Sequence, residues 1–413
     1  MRAYDLLYDL YADFDTGRLR DYQRFVDVFP PVDSRVALEH WEAVSEELEK
    51  RKDAIATGSP GGRPAAEIGA RVTREQAFAA LDLYRKYGRT VEALILDVDE
   101  TLRSAGRTDN EIPRSTLGVL GEFHEAGIPI VICTGQTLEN VKGFAIQGFG
   151  SSMVHSGRFS IVYEAGTGVF TPGHGRETKR LLYEDLDAEI VEIFGQLRSR
   201  VLPDAPASIR KGCHLQGNEF NVTLKPNAET GSADAIDIIE DGLVHLLDLL
   251  GTVVAGEEDG GSWARAVYAA ADTEIEAVLE RRAALPDISS EAVDPESKDL
   301  FDVIDVAYYA GDAAEISSAE LNKARGVEAA VGVMDLDEPF AAMFGDSKSD
   351  LRVMEWLEAR NQGIAASPEH ASEDVRAHVE STDGLLFHRG RSVDMLRTID
   401  AVYRIAEIVD LDE

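Results

Sequence analysis

Three acidic side chains crowd the stretch "ALILDVDETL" (Ala93 to Leu102), where four apolar residues run into Asp97, Asp99 and Glu100. Like charges that close repel, and a buried carboxylate without a partner costs several kcal/mol or shifts its pKa until it is neutral. A cation is the natural compensation. Two more apolar runs end in comparable groups. "IVICTGQT" delivers Thr134, "MFGDSKSD" delivers Asp346 and Asp350, and Lys323 stands between them near the start of a helical stretch. A carboxylate nest, a hydroxyl and an ammonium around one point suit phosphoryl transfer through a covalent aspartyl phosphate. In that chemistry Asp97 is the nucleophile. Asp99, two residues on, protonates the departing alkoxide and then deprotonates the attacking water. Mg2+ neutralises the repulsion between carboxylate and phosphate, with Asp346 and Asp350 as its holders beside Asp97 and Asp99. Thr134 and nearby backbone amides bind phosphoryl oxygens, and Lys323 balances negative charge in the transition state.

These residues need a scaffold that brings distant strand ends together. From Val91 the sequence alternates: "VEALIL" is a short apolar run suited to a central parallel strand, "STLGVLGEFHEAG" a helix, "IPIVICT" a second strand and "TLENVKGFAIQGFG" a second helix. The alternation resumes with helix "SAELNKARGVEAAVGVM", strand "FAAMF", helix "SDLRVMEWLEA", strand "NQGIAA" and a last helix near Asp394 to Ile408. This predicts an α/β fold with a doubly wound, Rossmann-like parallel sheet, whose ligands bind beyond the carboxyl ends of the strands. Between the two blocks, helices near Glu184 to Arg200 and Ala233 to Leu250 mix with strand-like "EFNVTL" and "ARAVYAA", the pattern of an inserted α+β domain. "PDISSEAVDPESKD" reads as an acidic surface loop. The first 88 residues read as helical. "PPVDS" marks a break and cap, "TGSPGGRP" a loop, Thr73 with Gln76 a capping box, and Gly88 a helix terminator. The expected division is a helical extension at 1–88, core at 89–170, insertion at 171–316 and core again at 317–413. The extension is expected to pack or to join copies of the chain.

Composition narrows the partners. With 76 acidic and 41 basic residues the formal charge is −35, which argues against nucleic acid and anionic membranes. The acid is spread along the whole chain and Lys is scarce, a combination that resembles proteins of a saline cytoplasm. There the Debye length falls to about 3 Å at 1 M salt, so a small phosphorylated substrate is not repelled. No apolar run reaches about eighteen residues, and the acidic amino terminus lacks a signal-peptide pattern, so the expected location is cytoplasmic. Cys133 and Cys213 are too few for a disulfide framework and lie in no zinc spacing.

In order, "DVDET", "ICTGQT", the Lys of "LNKARG" and "GDSKSD" resemble the four motifs of the haloacid dehalogenase (HAD) superfamily of phosphohydrolases. The large insertion between the second and third is similar to the bigger cap of type IIB members, the Cof-type and sucrose-phosphatase-like enzymes. "YEAGTG" (Tyr163 to Gly168) resembles the "ENGA" loop of that group. The resemblance spans roughly Val91 to Ile408 and implies an Mg2+-dependent phosphatase of a small phosphorylated metabolite, a sugar phosphate or a phosphoglycolate-like ester. This chain departs from the group at Gln136, where Arg is common, at Ala165, where Asn stands, and at Glu100, where Gly is commonest.

Caps of this family close over the leaving group, so substrate contacts are expected from the insertion. "IRKGCHLQGNEFNVTLKPN" gathers Lys211, Asn218, Asn221 and Lys225 there, and Gly135 and Gln136 flank Thr134. Taken alone, Thr134 is equally an ordinary helix cap, Lys323 a surface lysine, and Asp346 with Asp350 a cap for the helix after "FGDS". Two other functions fit the same residues. One is a phosphosugar mutase, and the other a phospho-accepting regulatory module without turnover, which has no use for Asp99.

Overall fold

The computed structural model describes residues 3–28, 34–103, 112–256 and 259–410. Its strands are β1 (Ala93–Leu96), β2 (Ile130–Cys133), β3 (Phe159–Tyr163), β4 (Gly168–Phe170), β5 (Lys179–Leu181), β6 (Cys213–Gln216), β7 (Asn221–Pro226), β8 (Ile304–Tyr309), β9 (Ala313–Ser318), β10 (Ala341–Phe344), β11 (Gly363–Pro368) and β12 (Leu385–Phe387). An eight-stranded sheet runs β12-β11-β10-β1-β2-β3-β4-β5, and the pairs from β12 to β3 are parallel. Buried on both faces, β1, β2, β3 and β10 have no solvent side to mark with polar residues, so they read as continuous apolar runs. Helices Arg114–Glu125, Leu138–Phe149 and Lys348–Glu358 follow as the alternation predicts. The doubly wound α/β sheet expected from the sequence is the fold of this part of the chain.

Two compact units result. One comprises Met1–Ala165, Val169–Arg180 and Gly326–Glu413, the other Gly166–Gly168 and Leu181–Arg325. The second unit has its own antiparallel sheet, β6-β7-β9-β8, and its own core, which includes Phe194, Leu246, Leu250, Phe301 and Ile316. "EFNVTL" contributes to β7, but the strand-like "ARAVYAA" is helical, within Gly260–Ala271. Tertiary contact overrides the alternating pattern: this helix meets Ser232–Ala255 so closely at Gly260 and Gly251 that a Cβ on Gly251 falls 1.9 Å from the Gly260 carbonyl oxygen. The acidic loop expected at 286–299 also folds in part, because Asp294 accepts from the Ser297 amide and opens a helix over Pro295–Asp302.

The amino-terminal helices Ala3–Asp13, Thr16–Val26, Arg35–Gly58, Gly62–Arg71 and Arg74–Tyr87 belong to the same unit as the parallel sheet. The Thr73/Gln76 capping box forms in both directions, and Gly88 ends the helix at φ 62°. "TGSPGGRP" bends more briefly than expected. Pro64 lies in the first turn of Gly62–Arg71, where its missing N–H removes no helical bond. The carboxyl-terminal helix Ser392–Asp410 packs on Arg74–Tyr87 and Gly62–Arg71, Gln76 Nε2 donates to the Asp394 carbonyl at 3.1 Å, and Arg397 pairs with Asp27 at 2.7 Å. Packing within the chain thus accounts for the extension's buried surface. Among the described residues, no helix is long and apolar enough to cross a membrane.

That packing buries charge. Lys52 and Glu67 are both under a tenth exposed and lie 2.9 Å apart, with Arg71 3.1 Å from the same Glu67 oxygen. Burial pushes the Glu67 carboxyl up, yet Arg71 and Lys52 more than reverse this and hold it at about 2 against an ordinary 4.5. Glu122 shares Arg71 but leans the other way, since its burial outweighs that attraction. A depressed carboxyl stabilises the fold above its unfolded pKa and loses that contribution as pH falls through its folded one, here from about pH 4.5 to about pH 2. Glu67→Gln is expected to lower stability by about 3 kcal/mol at pH 7 in urea unfolding, because it removes the buried carboxylate that Lys52 and Arg71 share. The gap to the wild type should narrow as pH falls through that window; a gap independent of pH would show that the carboxylate is not its source.

Candidate active site

One hydrogen bond past each strand end fixes the residues that matter. The Asp97 amide donates to the Phe344 carbonyl at 2.9 Å, the Thr134 amide to Val162 at 3.0 Å and the Gly345 amide to Ala366 at 3.2 Å. The ladders β1–β10, β2–β3 and β10–β11 therefore continue into the loops. Asp97 is 5 % exposed and Thr134 is fully buried, so both side chains start from backbone positions that cannot drift.

Asp97, Asp346 and Asp350 are brought together, with one carboxylate oxygen from each within 4.8 Å of the others. Asp97 and Asp350 are buried and Asp346 half-buried. Asp350 is also a local strut. Its Oδ2 accepts from the Asp346 amide at 3.3 Å, the Ser347 amide at 3.1 Å and the Ser347 hydroxyl at 2.6 Å, so it caps the helix Lys348–Glu358 and aims the loop that carries Asp346. The capping and cluster readings of these two residues thus hold together. Gly345 makes room for this arrangement, because a Cβ there falls 2.3 Å from the Asp350 Cβ. Three hard oxygen donors at this spacing fit a small divalent cation such as Mg2+, which takes carboxylate oxygens at about 2.1 Å and fills its remaining positions with water and substrate.

The Asp99 carboxylate is not one of those three. It is half exposed, and its Oδ1 accepts from Arg103 Nε at 3.0 Å and Nη2 at 2.8 Å, while its Oδ2 accepts from Gln136 Nε2 at 2.6 Å. Gln136 therefore holds the Asp99 carboxylate, and its own amide donates to Thr134 Oγ1 at 3.1 Å. Gly135 is exposed, and a Cβ there meets nothing within 4 Å.

The departures at Glu100 and Ala165 have a backbone meaning. Glu100 adopts φ 57°, and Glu164 and Ala165 adopt 49° and 55°, a left-handed region that costs a residue with a Cβ on the order of 1 kcal/mol. The amides of Glu164 and Ala165 donate to the carbonyls of Gln136 and Thr134 at 2.9 and 3.0 Å, so the tight turn braces the Thr134 loop. Glu100 is held by Arg389 Nη2 at 2.7 Å and lies 3.4 Å from His370 Nε2.

Lys323 is buried and opens the helix Lys323–Val333; the residue itself falls in the second unit, which ends at Arg325. Asn322 before it accepts from the Arg325 amide at 3.0 Å and donates to the Ala319 carbonyl at 2.7 Å. Gly166 presses on Asn322, since a Cβ there falls 2.0 Å from the Asn322 carbonyl oxygen. Three of the insertion's candidate residues have side-chain partners within the second unit. Asn218 donates to Thr167 Oγ1 at 2.8 Å and accepts from the Phe220 amide at 2.8 Å, Asn221 accepts from the Thr223 hydroxyl, and Lys225 pairs with Asp312 at 3.2 Å. Lys211 is exposed, and its carbonyl accepts from Asn227 Nδ2.

Sequence reasoning passed over Arg103, Gly345, Ser347 and Arg389. Arg103 follows Asp99 by four residues, and Ser347 precedes Asp350 by three, both spacings that mark side-chain pairing or capping. Arg389 is 289 residues from Glu100 and carries no local signal.

No protein-family model and no curated protein matches the sequence. Solved structures resemble it. Trehalose-6-phosphate phosphatase of Aspergillus fumigatus is 14 % identical with a TM-score of 0.41, over 78 % of this chain and 97 % of its own. Sucrose-phosphatase of Synechocystis sp. is 11 % identical with a TM-score of 0.42, over 76 % and 99 %. A haloacid dehalogenase-like hydrolase of Bacteroides thetaiotaomicron is 11 % identical with a TM-score of 0.40, over 75 % and 98 %. At such scores the functional reading rests on the chain's own residues.

Gly345→Ala must displace Asp350, and with it the loop of Asp346. Calorimetric titration with Mn2+ is expected to show affinity weakened at least about tenfold, the low end for loss of a group that orients metal ligands. An unchanged affinity would mean that Asp350 and Gly345 take no part in holding a cation.

Proposed function

We propose that the chain is a metal-dependent phosphatase of the HAD type, acting on a small phosphorylated metabolite such as a sugar phosphate or a phosphoglycolate-like ester. The observation that carries this reading is the convergence of the Asp97, Asp346 and Asp350 carboxylates at the carboxyl edge of a parallel sheet. Three anions in a half-buried site favour a divalent cation, and a cation among them makes the same place attractive to a phosphate dianion. A bound Mg2+ supplies charge neutralisation, so that one anion can attack another. Asp97, Asp346 and Asp350 are its proposed holders.

In the first step an Asp97 carboxylate oxygen forms a bond to phosphorus as the ester P–O bond breaks, and Asp99 gives its proton to the departing alkoxide. In the second, Asp99 takes a proton from water, the water oxygen bonds to phosphorus, and the bond to Asp97 breaks to release inorganic phosphate. Arg103 and Gln136 hold the Asp99 carboxylate between these roles. Thr134 and the amides beside it are assigned to phosphoryl oxygens. Lys323 and the insertion residues Lys211, Asn218, Asn221 and Lys225 keep assignments that come from sequence order and chemistry alone.

The test is a panel of phosphorylated metabolites with Mg2+ at high potassium, scored by phosphate release. The wild type is expected to turn over a subset, chelation to stop it, and Asp97→Asn to abolish it. Asp99→Asn is expected to slow turnover by about 100-fold or more, the usual worth of a general acid or base. Isomerised sugar phosphate without free phosphate would establish a mutase instead. A long-lived phosphoprotein, unaffected by Asp99→Asn, would establish a regulatory module.

A further inference from the structure

We infer that Arg389 is a positioning residue for the turn that carries Asp99, acting through Glu100. This rests on the reading of Asp99 as the proton donor. The turn is closed by the Leu102 and Arg103 amides, which both donate to the Val98 carbonyl at 3.1 Å. Within it Glu100 holds φ 57°, a conformation that glycine takes freely and glutamate resists. Something must keep it there, and two strand ends supply the restraint. Arg389, beyond β12, donates to Glu100 Oε2 at 2.7 Å, and His370, beyond β11, approaches the same oxygen at 3.4 Å. Ser392 brings its hydroxyl to the Leu102 carbonyl at 3.5 Å, so the segment 389–392 touches the turn at two points.

Arg389 is more than half exposed and Glu100 a quarter exposed. Exposed ion pairs add little to global stability, so the effect of this one is local. It fixes the backbone on the carboxyl side of Asp99, while Arg103 and Gln136 fix the Asp99 carboxylate itself. Without Arg389, Glu100 relaxes towards negative φ, the turn loosens, and the Asp99 carboxylate no longer meets the leaving oxygen.

Aspartate acid catalysis gives the test its selectivity. An alkyl ester needs a proton delivered to its leaving alkoxide, whereas p-nitrophenolate departs without one. In Arg389→Gln, kcat/KM for glucose 6-phosphate is expected to fall about tenfold or more, from the loss of a well-placed acid. With p-nitrophenyl phosphate it should stay within about twofold, because that ester draws nothing from the acid. The Tm should match that of the wild type. Hydrogen exchange at the Leu102 and Arg103 amides should quicken, Arg389→Lys should restore most of both effects, and the double variant E100G/R389Q should exchange more slowly than R389Q. Unchanged exchange in Arg389→Gln would overturn the inference, as would equal losses on both esters accompanied by a lower Tm. If the wild type hydrolyses neither ester, the phosphatase reading fails on these substrates, and exchange alone still decides whether Arg389 holds the turn.

Discussion

Mutual repulsion of the carboxylates of Asp97, Asp346 and Asp350 is the constraint on which the rest of this structure turns. Two unit charges 4 Å apart repel by on the order of 4 kcal/mol at an effective dielectric constant near 20. A site of this kind survives only if its backbone cannot swing the charges apart. The parallel ladder supplies that stiffness, since Asp97 and Gly345 are each tied by an amide to the neighbouring strand one residue past the regular pairing. Asp350 adds to it by committing one oxygen to the loop that carries Asp346.

The surrounding loops carry the conformational cost of this placement. Glu100, Glu164 and Ala165 occupy left-handed backbone positions without being glycine, and each is braced, the first by Arg389 and the other two by carbonyls of the Thr134 loop. Strain of this kind persists only where surroundings over-determine it. Further from the site, the buried Lys52–Glu67 pair joins two amino-terminal helices, and Arg397 of the carboxyl-terminal helix pairs with Asp27. Those contacts draw on charged residues in a chain with a large excess of acid.

Much of this was legible in the residues. The parallel strands declare themselves because burial on both faces removes polar punctuation, and the Thr73/Gln76 cap and Gly88 end their helix as the local chemistry dictates. Asp97, Asp346 and Asp350 were recognisable as a set because one apolar run leads into Asp97 and another into the segment "GDSKSD" that carries the other two. Legibility failed where long-range contacts decide. "ARAVYAA" alternates like a strand but is helical because a glycine crossing draws it against its partner helix. The partners of the Asp99 carboxylate, Arg103 and Gln136, were likewise not read from the sequence. Nothing near Glu100 in the sequence announces Arg389.

The most direct measurement is anomalous diffraction from crystals soaked in Mn2+ with orthovanadate. The account predicts one strong peak within about 2.2 Å of oxygens from Asp97 and Asp346, the distance expected for a hard six-coordinate cation, with vanadium over the Asp97 carboxylate. A peak elsewhere, or vanadate bound away from Asp97, would contradict it.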